Sequence, residues 1–222
     1  MAPTRIILVR HGESVAQAEG FLAGHRSCRG LSDTGRLQAR ALASRLEGGE
    51  LGRVDALYAS EMVRAVETAS IIGPAVGFSE PVVDCDLCEL HPGDADGLTW
   101  AEIESRWPTR FGTGWDPDEH LIDNAETWHE MHGRVGRTID RLAATHEGDT
   151  VVVVCHGGVI AHAMMHRLGI TLESDKAWLV ATNTSLTEFV HDPDMSDWRA
   201  GRWGIQRYND AAHLAHLRPG GR

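Results

Sequence analysis

The chain lacks any long apolar run. Its most apolar stretch, Val151 to Val154, is strand-sized and far short of the roughly 18 residues that a membrane span needs. Met1 to Arg10 contains no apolar signal core followed by a small-residue cleavage site, so the expected address is cytoplasmic. Positive charge is scarce as well: 21 Lys and Arg stand against 32 Asp and Glu, a net charge of −11. Phosphate backbones and anionic headgroups repel such a body, which argues against nucleic acid or a membrane as a general partner. Cysteine is limited to Cys28, Cys85, Cys88 and Cys155. The one C-x-x-C, Cys85 to Cys88, has no second pair to complete a zinc site and no thioredoxin-like surroundings, so these cysteines read as free thiols. The 13 histidines include no H-E-x-x-H spacing. No metal and no cofactor is therefore expected. Internal repeats and low-complexity linkers are missing too.

What is present suits one domain of 222 residues, since 42% apolar and 24% charged content match an ordinary globular core. Arg5 to Val9 reads as a strand. Ser32 is placed to cap a helix over 33–47 that Gly48-Gly49 ends. Val54 to Ala59 reads as a second strand, with Ser60 as the cap of a helix over 61–72. Val82-Val83 suggests a third strand. The stretch from Asp84 to Asn124 holds a short helix near Thr99 to Arg106, with Pro, Gly and several Trp, and reads as a lid-like insertion spanning about 84–125. An amphipathic helix over 126–147 follows, with Trp128, Met131, Val135, Ile139 and Leu142 on one stripe. Thr150 to Cys155 is apolar on both faces, as a central parallel strand would be. Gly157-Gly158 opens a further helix that ends near Gly169. Ser185 to His191 and Trp203 to Tyr208 are late strands, and Arg218 to Arg222 a frayed tail. Alternating strands and helices make this an α/β chain: a three-layer, doubly wound, mostly parallel sheet with helices on both faces.

Ligands of such sheets bind beyond the carboxyl ends of the strands. Three strands here end in polar clusters: Arg10-His11-Gly12-Glu13-Ser14, Ser60 with the helix carrying Arg64 and Glu67, and His156-Gly157-Gly158. In a parallel sheet these clusters share one edge. Arginine's donor fork matches phosphate, and Gly12, Gly157 and Gly158 would let backbone N–H groups approach a ligand closely. A neutral imidazole is a competent nucleophile near pH 7. The crevice therefore suits a phosphoryl group and its covalent transfer.

The run Arg10-His11-Gly12-Glu13-Ser14 resembles the signature of the histidine phosphatase superfamily, in its phosphoglycerate-mutase-like branch. Leu31-Ser32, Gly35 and Gln38-Ala39 are similar to that family's first-helix pattern. Ser60-x-x-x-Arg64-Ala65-x-Glu67-Thr68 resembles the segment that supplies its second arginine. Glu89-x-x-x-Gly93-x-x-x-Gly97-Leu98-Thr99 resembles the segment that supplies its acid, Glu126-Thr127 its Gly-Glu-Ser element, and His156-Gly157-Gly158 its second histidine motif. Arg and Pro do not follow the first motif, unlike in the superfamily's other branch. The resemblance implies a metal-independent phosphatase acting on a small-molecule phosphomonoester. His11 would be the nucleophile, Arg10, Arg64 and His156 the phosphoryl ligands, and Glu89 the acid and base. Glu80, Asp84, Asp86 and Asp94 are rivals for that last role. Ser14, Gln17, Gly157 and His91 are candidate phosphate or substrate contacts, and Glu13 orients the loop or faces solvent. Trp100, Trp107, Trp115 and Trp128 are candidates for stacking on a ligand.

The pattern departs at Gln17, where Asn is frequent, at Ala95-Asp96, where Trp and Glu precede the glycine, and at Asn124-Ala125, where Gly-Gly is frequent. These positions bear on substrate choice. A mutase relative would need extra cations near 112–126, where the charged residues are acidic and Arg106 and Arg110 alone are close. The phosphatase is thus preferred to a phosphoglycerate-mutase-type phosphotransferase, and both to a non-catalytic phosphoryl-binding module. The late strands leave a homodimer open.

Overall fold

A computed structural model describes residues 2–108, 116–172, 179–192 and 202–217. One six-stranded sheet organises them, in the order β3-β2-β4-β1-β5-β6. Strands β1 (Thr4–Arg10), β2 (Ala56–Ala59), β3 (Val82–Val83) and β4 (Thr150–Cys155) run parallel. The late strands β5 (Leu186–His191) and β6 (Trp203–Asp210) are antiparallel additions on the β1 side, so the sheet is mixed but mostly parallel. Helix α1 (Val15–Glu19) lies in a stretch expected to be loop. Ser14 caps it, and Gln17 returns the bond to complete a capping box.

The sheet is covered on both faces because its central strands are apolar on both. Ile6 and Leu8 of β1 and Val151 and Val153 of β4 pack against α5 (Trp128–Thr145) and α6 (Gly157–Leu168). The alternate residues Ile7, Val9, Val152 and Val154 pack against α2 (Asp33–Leu46) and α3 (Val63–Ile72). All eight are fully buried. At about 1.5–3 kcal/mol for each large side chain, the central strands are a main source of stability.

Helix ends follow local chemistry. Ser32 caps α2, and Thr127 with Glu130 forms a capping box at the start of α5. Met131, Val135, Ile139 and Leu142 are the buried stripe of α5. Thr99 caps α4 (Trp100–Arg106), and Ile103 and Trp107 pack with Ala95, Ile122 and Ala125 in a small separate core. Ser60 departs from expectation: Met62 is the N-cap of α3, and the Ser60 hydroxyl is drawn inward by buried partners described below. Arg110, Trp115 and the tail from Arg218 lie outside the described residues.

Two glycines set the approach of α2 to the first loop. A Cβ on Gly35 would stand 2.0 Å from the Glu13 carbonyl oxygen, and one on Gly12 would stand 2.5 Å from the Gly35 carbonyl oxygen. Gly12 is thus required for packing, and its N–H donates to Thr68 Oγ1 at 3.1 Å rather than to a ligand. Gly35→Ala is expected to cost about 1–3 kcal/mol of stability by overpacking. Chemical denaturation would measure this as a lower midpoint at unchanged slope.

Candidate active site

The parallel register pairs Arg10 of β1 with Cys155 of β4, and the His11 N–H donates to the Cys155 carbonyl at 2.9 Å. His11 and His156, each one step beyond its strand, are therefore neighbours. Their ring centroids are 5.0 Å apart in an edge-on arrangement. The next strand adds Ser60, whose N–H donates to the Val154 carbonyl at 2.9 Å. One turn further on, Arg64 reaches back from α3. Arg10, His11, Arg64, Ser60 and His156 thus converge at the carboxyl edge of the sheet, as the strand ends led us to expect.

Each imidazole is oriented by a fixed partner. His11 Nδ1–H donates to the Gly12 carbonyl at 2.6 Å, which leaves the Nε2 lone pair facing the Arg64 Nε–H at 3.2 Å. His156 Nε2 lies 2.7 Å from Ser60 Oγ, while its Nδ1 is buried without a protein partner. Arg10 Nη1 donates to the Ala181 carbonyl, and Arg10 Nε is likewise buried without a partner. Arg64 Nη1 donates to the Ala23 carbonyl at 3.0 Å. Among the described residues neither arginine is ion-paired. A buried Arg64 and a half-buried Arg10 without counter-ions, with ring and guanidinium nitrogens that lack partners, are what an oxyanion would satisfy.

Burial, followed by the charges of Arg64 and Arg10, holds the His11 pKa well below 6.5. Burial, then Arg64 and His11, does the same for His156. Both rings are neutral near pH 7, as an attacking imidazole must be. Burial also lowers Arg10, while Glu89 raises it and so stands close enough to favour its charge. Glu89 Oε2 accepts from the Gly158 N–H at 3.0 Å, and a Cβ on Gly158 would lie 2.2 Å from Glu89 Oε1. Gly158 therefore spends its N–H on the carboxylate and makes room for it, a correction to its expected role toward a ligand. Of the rivals, Asp84 is taken by Arg141 at 2.6 Å, with Asp86 3.6 Å away, and Asp94 is 4.0 Å from Arg106.

The remaining candidates divide. Gly157 abuts the Arg10 guanidinium, with room there for a Cβ at 3.5 Å. The Ser14 hydroxyl is buried as a helix cap, and Gln17 Oε1 accepts from the Ser14 N–H at 3.1 Å and from Asn183 Nδ2 at 3.2 Å. Both hold the loop in shape. Glu13 does so as well, accepting from Ser32 Oγ at 2.6 Å. The placement of His91 differs from expectation: its ring lies 5.3 Å from that of His25, and it borders an open groove of about 920 Å³ with Glu126 and Arg134. Trp107 is buried, its Nε1–H donating to Asp123. Trp100 and Trp128, with Leu90 and Ile122, line a largely apolar cavity of about 330 Å³ that Glu89 and Gly158 also border.

Sequence reading missed three positioning residues. Asn183 Nδ2 donates to the His11 carbonyl at 2.9 Å from the loop before β5. Next to it Thr184 adopts φ 57°, rare for a β-branched residue, and donates its N–H to the Arg10 carbonyl at 2.8 Å. Thr68 Oγ1 braces Gly12 and donates to the Arg64 carbonyl at 2.7 Å. Thr68 lies within a quoted motif, but nothing in the sequence marks Asn183, 172 residues from His11.

Over residues 6–211 the chain matches the histidine phosphatase superfamily (branch 1). It is 32% identical to phosphoglycerate mutase-like protein 4 of Arabidopsis thaliana, across 94% of this chain and 86% of that one. It is 30% identical to the metal-independent phosphoserine phosphatase of the same plant, across 96% and 84%. Among solved structures, YhfR of Bacillus stearothermophilus superposes with a TM-score of 0.80 at 29% identity, covering 95% of this chain and 99% of its own. A mycobacterial glucosyl-3-phosphoglycerate phosphatase gives 0.74 at 27%, covering 93% and 99%.

Because the folded pKa values of His11 and His156 lie below 6.5, the unfolded chain binds more protons in mild acid. Their contribution is fully present above pH 6.5 and is lost as pH falls through the folded values. The expected result is a Tm that declines on acidification below about pH 6.5. Nitrogen NMR of labelled His11 should still show the neutral Nδ1–H form at that pH. An imidazolium signal there would contradict the assignment.

Proposed function

The chain belongs to branch 1 of the histidine phosphatase superfamily, and from that membership we propose that it hydrolyses a small-molecule phosphomonoester through a phosphohistidine on His11. The observation that carries this reading is the His11 Nε2 lone pair, fixed by the Nδ1–H bond to Gly12 and facing the buried Arg64 guanidinium, which has no ion pair among the described residues. The phosphoryl group enters between Arg10, Arg64 and His156, which neutralise its oxygens as charge develops. His11 Nε2 forms the N–P bond as the P–O bond to the leaving alkoxide breaks. Glu89 gives its proton to that oxygen. It then takes a proton from water, which attacks phosphorus and releases His11 and inorganic phosphate. Gly158, which holds one carboxylate oxygen, keeps Glu89 aimed at the edge of the pocket.

The phosphoryl chemistry asks nothing of an added metal, because arginine and histidine side chains supply the neutralising charge. The substrate's organic part would lie in the cavity bordered by Glu89, Trp100 and Trp128. Among the described residues that cavity is lined by no Lys or Arg, and Glu119 and Glu126 are on its wall. A mutase must hold a carboxylate-bearing acid in both orientations, and such a wall opposes it. Arg106, a candidate cation for that purpose, lies over the Trp107 ring at 4.8 Å. Phosphatase names among the relatives, such as the phosphoserine phosphatase and a glucosyl-3-phosphoglycerate phosphatase, support hydrolysis.

The test is phosphate release from p-nitrophenyl phosphate and a metabolite panel, with no divalent cation added. His11→Ala should release no phosphate above background. Glu89→Gln should lose about 10²–10⁴-fold in kcat with a poor leaving group and less with p-nitrophenol, which needs no proton. Isomerisation of 3-phosphoglycerate without net phosphate release would instead assign a mutase, and phosphate binding without turnover a non-catalytic module.

A further inference from the structure

The Cys85-x-x-Cys88 pair does not stand alone in the fold. His25, from the loop after α1, places Nε2 3.4 Å from Cys88 Sγ and 3.7 Å from Cys85 Sγ. His91 packs its ring against that of His25. One ligand atom from each of His25, Cys85, Cys88 and His91 lies within 4.8 Å of every other. In a tetrahedral zinc site, with Zn–S near 2.3 Å and Zn–N near 2.0 Å, ligand atoms are roughly 3.3–3.8 Å apart. Two pairs already meet that spacing, and closing the widest needs about 1 Å of movement. We propose that these four side chains form a Cys₂His₂ site for one zinc ion beside the active site.

Several features fit this reading. The Cys88 N–H donates to the Cys85 carbonyl at 2.9 Å, closing the turn that carries both sulfurs. Arg134 Nη1 grips that turn from behind through the carbonyls of Asp86 and Cys88, at 2.8 and 2.9 Å. The turn that carries both sulfurs is therefore held by the fold before any ion arrives. Among the described residues His91 Nε2 is buried without a hydrogen-bond partner, a cost that a metal ion bound at that nitrogen would offset. Glu61 Oε2, 3.6 Å from His25 Nε2, adds negative charge suited to a dication. Two thiolates with two imidazoles are a donor set that selects zinc over magnesium or calcium. On binding, each thiol gives up its proton to solvent and the sulfur lone pair goes to the metal.

The ion would act by position, outside the reaction. Glu89 lies between Cys88 and His91, and Ala23, which accepts from Arg64, is two residues before His25. One zinc would tie the segment carrying the acid to the loop that holds the second arginine. Ser60 joins the two sites directly, donating to Cys88 Sγ at 3.2 Å while lying 2.7 Å from His156 Nε2.

The test uses the full chain, tag removed, purified under reducing conditions. Expected are about one zinc per chain by mass spectrometry after loading and dialysis, and release of about two protons per zinc bound. Cobalt substitution should give a thiolate charge-transfer band with the intense visible bands of a tetrahedral site. Cys85→Ser and His25→Ala, both at exposed positions, should each weaken zinc binding at least about tenfold and abolish a zinc-dependent rise in Tm. Sub-stoichiometric zinc in folded wild type, a cobalt spectrum without the thiolate band, or equal zinc binding by wild type and both variants would overturn the proposal. So would a Cys85–Cys88 disulfide that persists in reductant. These readouts do not depend on phosphatase activity.

Discussion

The site depends on the parallel pairing of β1 with β4. Its register sets Arg10 against Cys155 and lets the His11 N–H bond the Cys155 carbonyl. Two histidines 145 residues apart in sequence thereby become side-by-side groups on one edge. A shift of one residue would turn every side chain of the strand to the other face, moving Ile6 and Leu8 out of one core and Ile7 and Val9 out of the other. The register that is cheapest for the core is thus also the one that assembles the chemistry.

Electrostatics then shapes what the edge can do. The body is acidic, yet the crevice gathers Arg10 and Arg64 without ion pairs among the described residues and keeps both imidazoles neutral. Burial is the leading cause for each histidine, and the two guanidiniums reinforce it. The same charges that keep His11 deprotonated would attract the phosphoryl group of the proposed reaction. Glu89 is the counterweight: near enough to favour the Arg10 charge, and held off by the Gly158 N–H.

Around this centre a set of backbone-directed bonds leaves little room for change. Asn183, Thr184 and Thr68 fix the backbone from Arg10 to Gly12, and Gly12 and Gly35 let α2 approach it. Ser60 spans from His156 to Cys88, so the state of the cysteine cluster and the orientation of the second histidine are linked by one hydroxyl.

The sequence by itself determined the α/β class and placed six strands and five helices near their observed positions, and it singled out Arg10, His11, Arg64, Glu89 and His156 as the candidate site. Those signals are local: apolar runs, caps such as Ser32, and polar residues directly beyond strand ends. Only the tertiary structure decided that β5 and β6 run antiparallel, because a strand's direction leaves no mark in its periodicity. It also assigned the N–H groups of Gly12 and Gly158 to Thr68 and Glu89, and brought Asn183 to His11. The Cys85/Cys88 pair carries the same lesson. In sequence it has two potential ligands and reads as free thiols. In the fold His25, 60 residues away, and His91 stand beside it, since packing gathers ligands that spacing along the chain does not register.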